Sequence, residues 1–472
     1  MKPTSRTKKF IIALFWILLW QLAAMAVSSP LLLPGPLDTI RGLVQLVQDP
    51  GYYHDIAATV VRCIAAILLA LAFGFVLALA SYRVRIVRDI LSLPVAFFKS
   101  VPIMAVAIYM IFLLASGNVP VLVCFIMCFP IVYTNLLTGL DSMDAKYLEM
   151  AHVYRIPQGR VIRHIYWPQM YPYFKAALSL IAGMSWKAIV TAEVLSIPKF
   201  SLGYELMNAK YYLNTDILFA YVATIVVISL AFERLIRYLL NRFDFKAYAG
   251  SKFAAAEAVE GSDTDTRRDI VPPGVTFTDI HKAFGEKVVF DGFTEYFAAG
   301  ETTAVMAPSG IGKTTLLRIL VGLETADQGT VTVAPAGAEP PAASHDVRTG
   351  VLFQEDRLLP WLNVYDNLAV TAAVQDKAKI LALLEAVGLA GECDKLPGQL
   401  SGGMNHRVAL ARMFLCDADL YIADEPFRGL DEDTRAAVID RLWKPGVAGR
   451  TAIVITHDPE IANSLATRVV SL

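Results

Sequence analysis

Residues 302–321 read TTAVMAPSGIGKTTLLRILV, and this stretch decides the fold of the C-terminal half. Thr302 to Met306 has the apolar character of a strand, Ala307 to Thr315 is built of small residues, and Leu316 to Val321 has helical character. Phosphate binding needs that order. A loop with little side-chain bulk lets backbone N–H groups wrap an anion, and the start of the following helix adds favourable partial charge. Ser309, Gly310, Gly312 and Thr315 supply the slim loop, Lys313 is placed to pair with the β and γ phosphates, and the Thr314 hydroxyl is placed to ligate Mg2+. The first glycine of the G-x-x-x-x-G-K-[ST] pattern is replaced by Ala307, whose methyl is tolerated where φ stays negative. Taken alone, the loop implies a bound nucleotide and no particular reaction.

Downstream, Leu420-Tyr421-Ile422-Ala423-Asp424-Glu425-Pro426 is an apolar strand ending in two carboxylates. Leu400-Ser401-Gly402-Gly403-Met404 sets small residues at a helix start, and Gln354 follows Val351-Leu352-Phe353. Leu430-Asp431, Thr456-His457-Asp458 and Phe284 within Lys282-Ala283-Phe284-Gly285 complete the set. In this order and spacing the C-terminal half resembles the ATPase of ABC transporters. The resemblance implies that Asp424 holds Mg2+, helped by Thr314 and Gln354, and that Glu425 polarises the attacking water as general base. It also implies that His457 contacts the γ-phosphate, that Gln354 senses the metal, and that Phe284 stacks on adenine. Ser401, Gly402 and Gly403 form the signature that clamps a second γ-phosphate, with Asp431 in the adjoining loop. Met404 replaces the usual glutamine of the signature, and Arg428-Gly429 replace the common Ser-Ala.

The other half belongs to a different solvent. Hydrophobic residues make up 56% of the 472 residues and charged residues 18%, with a mean hydropathy of +0.50, too apolar for a soluble enzyme. The excess is concentrated before residue 246. A net charge of −1 argues against nucleic acid as a partner, since phosphate backbones are bound by basic surfaces. The five cysteines lack metal-ligand spacing, and Cys124 and Cys128, which share a helix face, read as small buried hydrophobes.

Runs of nearly the roughly 20 residues needed to cross a bilayer fall at 10–28, 58–82, 119–140, 173–195 and 217–239. A sixth lies between Ile90 and Ala115, where Pro94, Lys99 and Pro102 predict a short interfacial helix followed by a span from about Pro102. The first run follows Lys2, Arg6, Lys8 and Lys9 like a signal peptide, but its length and bulky aromatics predict a retained helix. Arg83, Arg85 and Arg88, then Arg155, Arg160 and Arg163, then Arg234, Arg237 and Arg242 fall on one side if the spans alternate. That places both termini in the cytoplasm.

Between the fourth and fifth spans, 141–172 is too polar for lipid. Glu149, Ala151, Ile165 and Pro168 keep the spacing of the EAA loop of binding-protein-dependent import permeases, which docks a short coupling helix on the ATPase. By that resemblance Glu149, Ala151 and Tyr154 are coupling residues. Arg155 stands where the family carries glycine, and a side chain there disfavours positive φ. Ser185 to Glu193, with Gly203-Tyr204 and Ala209, is similar to the nitrate, sulfonate and taurine branch. Within it, Lys187 and Glu193 would each cost about 2.5–3.5 kcal/mol facing lipid, so they face the solute path or a neighbouring helix.

These readings predict an all-α six-helix membrane permease of type I ABC importer kind (1–246), a flexible linker (247–273), and an α/β P-loop ABC ATPase (274–472). Resemblance to the family implies a multi-pass protein of the cytoplasmic membrane that takes up a small polar or anionic solute using ATP and Mg2+. One phosphate loop and one signature per chain imply a second copy as partner, and the import class implies a periplasmic or lipid-anchored solute-binding protein. An exporter, or an ATP-driven membrane regulator that moves nothing, are the competing readings.

Overall fold

The computed structural model describes residues 5–29, 31–242, 271–306, 312–335, 347–372 and 376–471. The expected linker therefore lies outside the described residues apart from its last three positions. The chain divides into two compact units, residues 1–143 with 169–244, and residues 144–168 with 245–472.

The first unit is helical: α1 (Ser5–Val27), α2 (Pro36–Gln48), α3 (Pro50–Arg83), α4 (Arg85–Ser100), α5 (Ile103–Leu113) and α6 (Val119–Asp141). After α7 (Ala145–Val153) and α8 (Gln158–Val161), which belong to the second unit, come α9 (Trp167–Ser196), α10 (Leu202–Tyr211) and α11 (Thr215–Arg242). Local chemistry sets the boundaries. Asp49 caps α3 by accepting from the Gly51 N–H, and Pro50 occupies the first helical position, where its missing donor does no harm. Along α3 the buried positions Cys63, Ala66, Ala70, Gly74, Ala78 and Ser81 form a seam of small side chains. Such a seam lets helix backbones approach closely in lipid. A Cβ on Gly74 would lie 2.5 Å from Val132 Cγ1 on α6, and Tyr133 of α6 donates to Ser81 Oγ at 3.0 Å.

Among the described residues four helices are long and apolar enough to cross a membrane, and the pair α4 and α5 makes a fifth if taken as one broken span. The apolar part of α1, Ile11–Val27, is shorter. The span expected from Pro102 differs most from expectation: α5 has 11 residues, about 16 Å against a hydrocarbon core of about 30 Å. It meets α4 at 106°. Pro102, lacking an N–H and holding its predecessor extended, keeps the two from merging into one rod.

Glu193 on α9 is fully buried. It accepts from Arg62 Nη1 at 2.9 Å, from Thr59 Oγ1 at 3.0 and 3.1 Å, and from the Gly203 N–H at 3.3 Å. Arg62 also donates to the carbonyls of Phe200 and Lys199, so one ion pair ties α3 and α9 to the start of α10. Gly203 is obligatory in that joint, because a Cβ would sit 2.4 Å from Glu193 Cβ and 2.6 Å from the Val194 nitrogen. Gly203→Ala should destabilise the permease by about 1–3 kcal/mol. The check is a lowered thermal unfolding midpoint of the detergent-purified chain; an unchanged midpoint would show that the joint has slack.

The second unit holds an antiparallel sheet, order β2-β1-β4, from β1 (Pro273–Phe284), β2 (Lys287–Phe297) and β4 (Gln328–Pro335). Its other sheet is parallel, order β5-β6-β7-β3-β8, from β3 (Thr302–Met306), β5 (Thr349–Leu352), β6 (Leu420–Asp424), β7 (Thr451–Thr456) and β8 (Arg468–Ser471). Every residue of β6 and β7 is buried, as the central strands of a covered parallel sheet must be. Residues 144–168 join this core through Tyr147, Met150, Ala151, Tyr154 and Ile165, which share a cluster with Val351, Phe353 and Leu362.

Candidate nucleotide site and coupling segment

Three neighbouring strands of the parallel sheet end at one level. Met306 pairs with Thr456, and Asp424 pairs with Ile455. The segments leaving these strands therefore emerge side by side at the carboxyl edge, where open α/β sheets bind ligands. A cavity of about 450 Å3 lies there. Of the residues singled out from sequence, Phe284, Gly312, Lys313, Thr314, Thr315, Gln354, Asp424, Glu425 and His457 all line it. Ala307, Ser309 and Gly310 lie outside the described residues. Gly312 takes φ 110°, and a Cβ there would meet Val289 Cγ1 at 2.4 Å, so glycine is required where the loop turns into the helix α12 (Lys313–Leu320).

Burial, and after it the neighbouring Glu425, push the Asp424 carboxyl up to about 6, against Lys313, Arg428 and a hydrogen bond with Thr314, which act the other way. Thr314 and Asp424 thus place a hydroxyl and a carboxylate together, an all-oxygen pair suited to a hard cation that takes its remaining ligands from phosphate and water. Glu425 sits in the left-handed region at φ 53°. Its Oε1 accepts from the His457 N–H at 3.1 Å and lies 2.6 Å from His457 Nδ1, and Thr456 Oγ1 donates to Oε2 at 3.3 Å. Phe284 is half exposed, and Lys282 Nζ lies 5.0 Å from its ring centroid.

The family model for the ABC transporter matches residues 290–428, and that for the binding-protein-dependent transport system inner membrane component matches residues 70–245. An aliphatic sulfonates import ATP-binding protein, SsuB 2 of Burkholderia cenocepacia (strain HI2424), is 38% identical over 209 residues, covering 43% of this chain and 75% of its own. Another, SsuB 1 of Mesorhizobium japonicum, is 41% identical over 203 residues, covering 41% and 73%. Among solved structures, the ATP-binding cassette MJ0796 in a dimeric post-hydrolysis state bound to ADP and Pi aligns at 26% identity over 42% of this chain and 94% of its own, with a TM-score of 0.38. This chain belongs to the ABC transporter family.

It is an import-type ABC transporter of the inner membrane with permease and ATPase in one polypeptide, coupling ATP hydrolysis to uptake. Within the ABC ATPase the signature stands apart from the cavity. Ser401 caps α15 (Gly402–Leu415; α13 is Val364–Ala369 and α14 Lys377–Ala386) by accepting from the Met404 N–H, and Gly403 packs on Gly429, whose carbonyl a Cβ would meet at 2.9 Å. Asp431 caps the next helix, α16 (Glu432–Val438), through the Thr434 N–H. None of Ser401, Gly402, Gly403 or Asp431 lines the cavity of its own chain.

The segment 144–168, where coupling was expected, is held to the rest of its unit by charge as well as by its apolar face. Glu149 accepts from both terminal nitrogens of Arg318, at 2.9 and 2.8 Å, and Arg357 Nη1 lies 2.9 Å from Oε2. Hydrogen bonding from Arg318 holds the Glu149 carboxyl below the usual glutamate range against the opposing effect of burial, and Arg357 adds attraction. Burial pulls the Arg357 guanidinium down. It gains a face-on contact with the Phe353 ring at 3.8 Å. Arg318 lies on α12, which begins at Lys313, and Arg357 follows Gln354 by three residues, so one carboxylate touches both arms of the nucleotide site. Tyr154 donates to the Val351 carbonyl at 2.7 Å, and Ala151 is buried beneath it. Arg155 adopts φ 49° despite its side chain, so the bend survives without glycine. Its guanidinium reaches the Val347 carbonyl at 3.3 Å.

Sequence reasoning missed Arg318, Arg357, Arg160 and Trp361. Arg160 donates to the Ala372 carbonyl at 2.5 Å, and Trp361 Nε1 to the His164 carbonyl at 2.8 Å. No local pattern marks them, since the partners of Arg318, Arg160 and Trp361 lie 169, 212 and 197 residues away along the chain.

Proposed function

We propose that two copies of this chain form one transporter that takes up a small sulfonate or related organic anion delivered by an extracytoplasmic binding protein. The observation carrying the dimer is the separation of Ser401–Gly403 from the cavity that holds Lys313. A signature from a second chain completes each site, and a twofold arrangement completes both at once. Mg2+, bound by Thr314 and Asp424 with Gln354 alongside, supplies charge neutralisation for phosphoryl transfer. Lys313 holds the phosphates, Phe284 offers its face to the base, Glu425 takes the proton of the attacking water, and His457 holds Glu425 in place. Closure of the paired ATPases moves Glu149, and through it the permease.

Lys187 supports the anionic solute. It is exposed on α9, while its neighbours Ser185, Trp186, Ala188 and Ile189 are buried in the bundle. An ammonium facing lipid at that depth is costly. The face it occupies therefore meets the second copy or the solute path, and a dimer presents two such cations. Glu193, committed to Arg62, braces the bundle instead. The test is accumulation of a labelled aliphatic sulfonate by vesicles holding the chain and its binding protein. Lys187→Met should lower uptake by about tenfold or more, the worth of one charged hydrogen bond, with ATP affinity kept. Unchanged uptake would remove Lys187 from the path, and absence of sulfonate uptake by the unaltered chain would remove the solute class.

A further inference from the structure

Two cations on the cavity wall, Lys287 and Arg428, have no role in the scheme above, and of these Arg428 shares a turn with Glu425. Arg428 lines the same cavity as Lys313 and Glu425. The backbone that carries it is fixed at several points. The Arg428 N–H donates to the Glu425 carbonyl at 3.2 Å, closing a tight turn that begins at Glu425. Phe427 is buried against Trp443, with ring centroids 5.6 Å apart, and the Pro426 carbonyl lies 3.0 Å from His406 Nε2. Gly429 follows at φ 73° and lets the chain leave the turn without a Cβ. Arg428 is thus projected from a rigid turn shared with Glu425, whose ends stand less than about 7 Å apart.

Its side chain is also uncommitted. Nearby arginines are engaged: Arg407 donates to the Val387 carbonyl, Arg412 to the carbonyls of Asp356 and Arg357, and Arg435 faces Asp458. Among the described residues the Arg428 guanidinium has no hydrogen bond or ion pair, and it is exposed at the rim. It is close enough to Asp424 to favour that carboxylate electrostatically. A free, planar, permanently charged fork on the wall of a cavity that also presents Lys313 and Thr314 fits a terminal phosphate better than it fits solvent.

We propose that Arg428 contacts the γ-phosphate of ATP bound to its own chain, adding a second cation to Lys313 and discriminating ATP from ADP. This rests on the nucleotide reading of the cavity. Binding supplies one more charged contact to the group that ADP lacks, and the same contact steadies the charge that builds on the transferring phosphoryl oxygens.

The experiment is equilibrium binding of ATP and of ADP to the purified full-length chain in chelator, which prevents turnover. Arg428→Ala should weaken ATP by about 10- to 100-fold, the range for one hydrogen bond to a charged group, and leave ADP affinity as it was. Arg428→Lys should recover part of the loss by restoring the charge. Retained ADP binding certifies the fold of the variant. Equal losses for both nucleotides, or none for either, would overturn the proposal while leaving the cavity assignment intact. Failure of the unaltered chain to bind either nucleotide would instead overturn the cavity assignment, and this inference with it.

Discussion

Glu425→Gln should bind ATP normally and hydrolyse it about 10²- to 10⁴-fold more slowly, the usual worth of a positioned general base. The substitution is nearly isosteric. Glu425 keeps its place at the carboxyl end of β6: with the amide oxygen in the place of Oε1 the His457 N–H still donates to it, and the amide NH2 in the place of Oε2 can donate to the Thr456 hydroxyl, reversing that one bond. What is lost is a group able to receive the proton of the attacking water. The closed, ATP-loaded pair of chains should therefore accumulate, seen as ATP-dependent dimer that persists on a sizing column, with phosphate release at background. Normal phosphate release by this variant would dismiss Glu425 as the base.

The second large effect is expected at the clamp on the coupling segment. Glu149→Ala leaves Arg318 and Arg357 facing one another across a partly buried gap. Removing one member of such a charged contact costs about 2–5 kcal/mol, much of it from the charges left behind. The nucleotide cavity itself is untouched, so basal ATPase should persist, while stimulation by the binding protein should fall about tenfold or more. Undiminished stimulation would mean that the apolar contacts of Tyr147, Met150 and Ala151 suffice. The clamp also carries a pH signature. Because the folded state holds the Glu149 carboxyl below its usual range, its contribution is fully present above the ordinary glutamate pKa. It is lost as pH falls through the depressed value. Coupling in the unaltered chain should weaken on the acid side, and Glu149→Gln should flatten that dependence.

What could be read in advance was whatever the chemistry demands at short range. The slim loop before Lys313, the carboxylate pair closing an apolar strand at Asp424 and Glu425, and the aromatic at Phe284 each lie within a few residues of the feature that explains them. The parallel sheet then gathers the cavity-lining residues at one edge, because adjacent strands end in register. Long-range pairing was not readable. Nothing around Arg62 names Glu193, 131 residues away, as its partner, and nothing in α12 names Glu149. Backbone geometry was equally opaque. The side chain of Arg155 argues against positive φ, yet the carbonyl of Val347 rewards it; and Pro102 signals a break without fixing the angle between α4 and α5.

The bends at Arg155, Arg357 and Glu425, at φ 49°, 47° and 53°, share a property that no single contact reveals. Each holds an L-residue in a conformation disfavoured by about 1–2 kcal/mol. All three lie in the second unit, after α7, three residues past Gln354 and at the carboxyl end of β6, at places where one element hands over to the next. Their neighbours keep them cocked, like springs under a latch. When the surrounding grip slackens, these joints have the most to gain by relaxing, so motion should start there and leave the sheet behind them still.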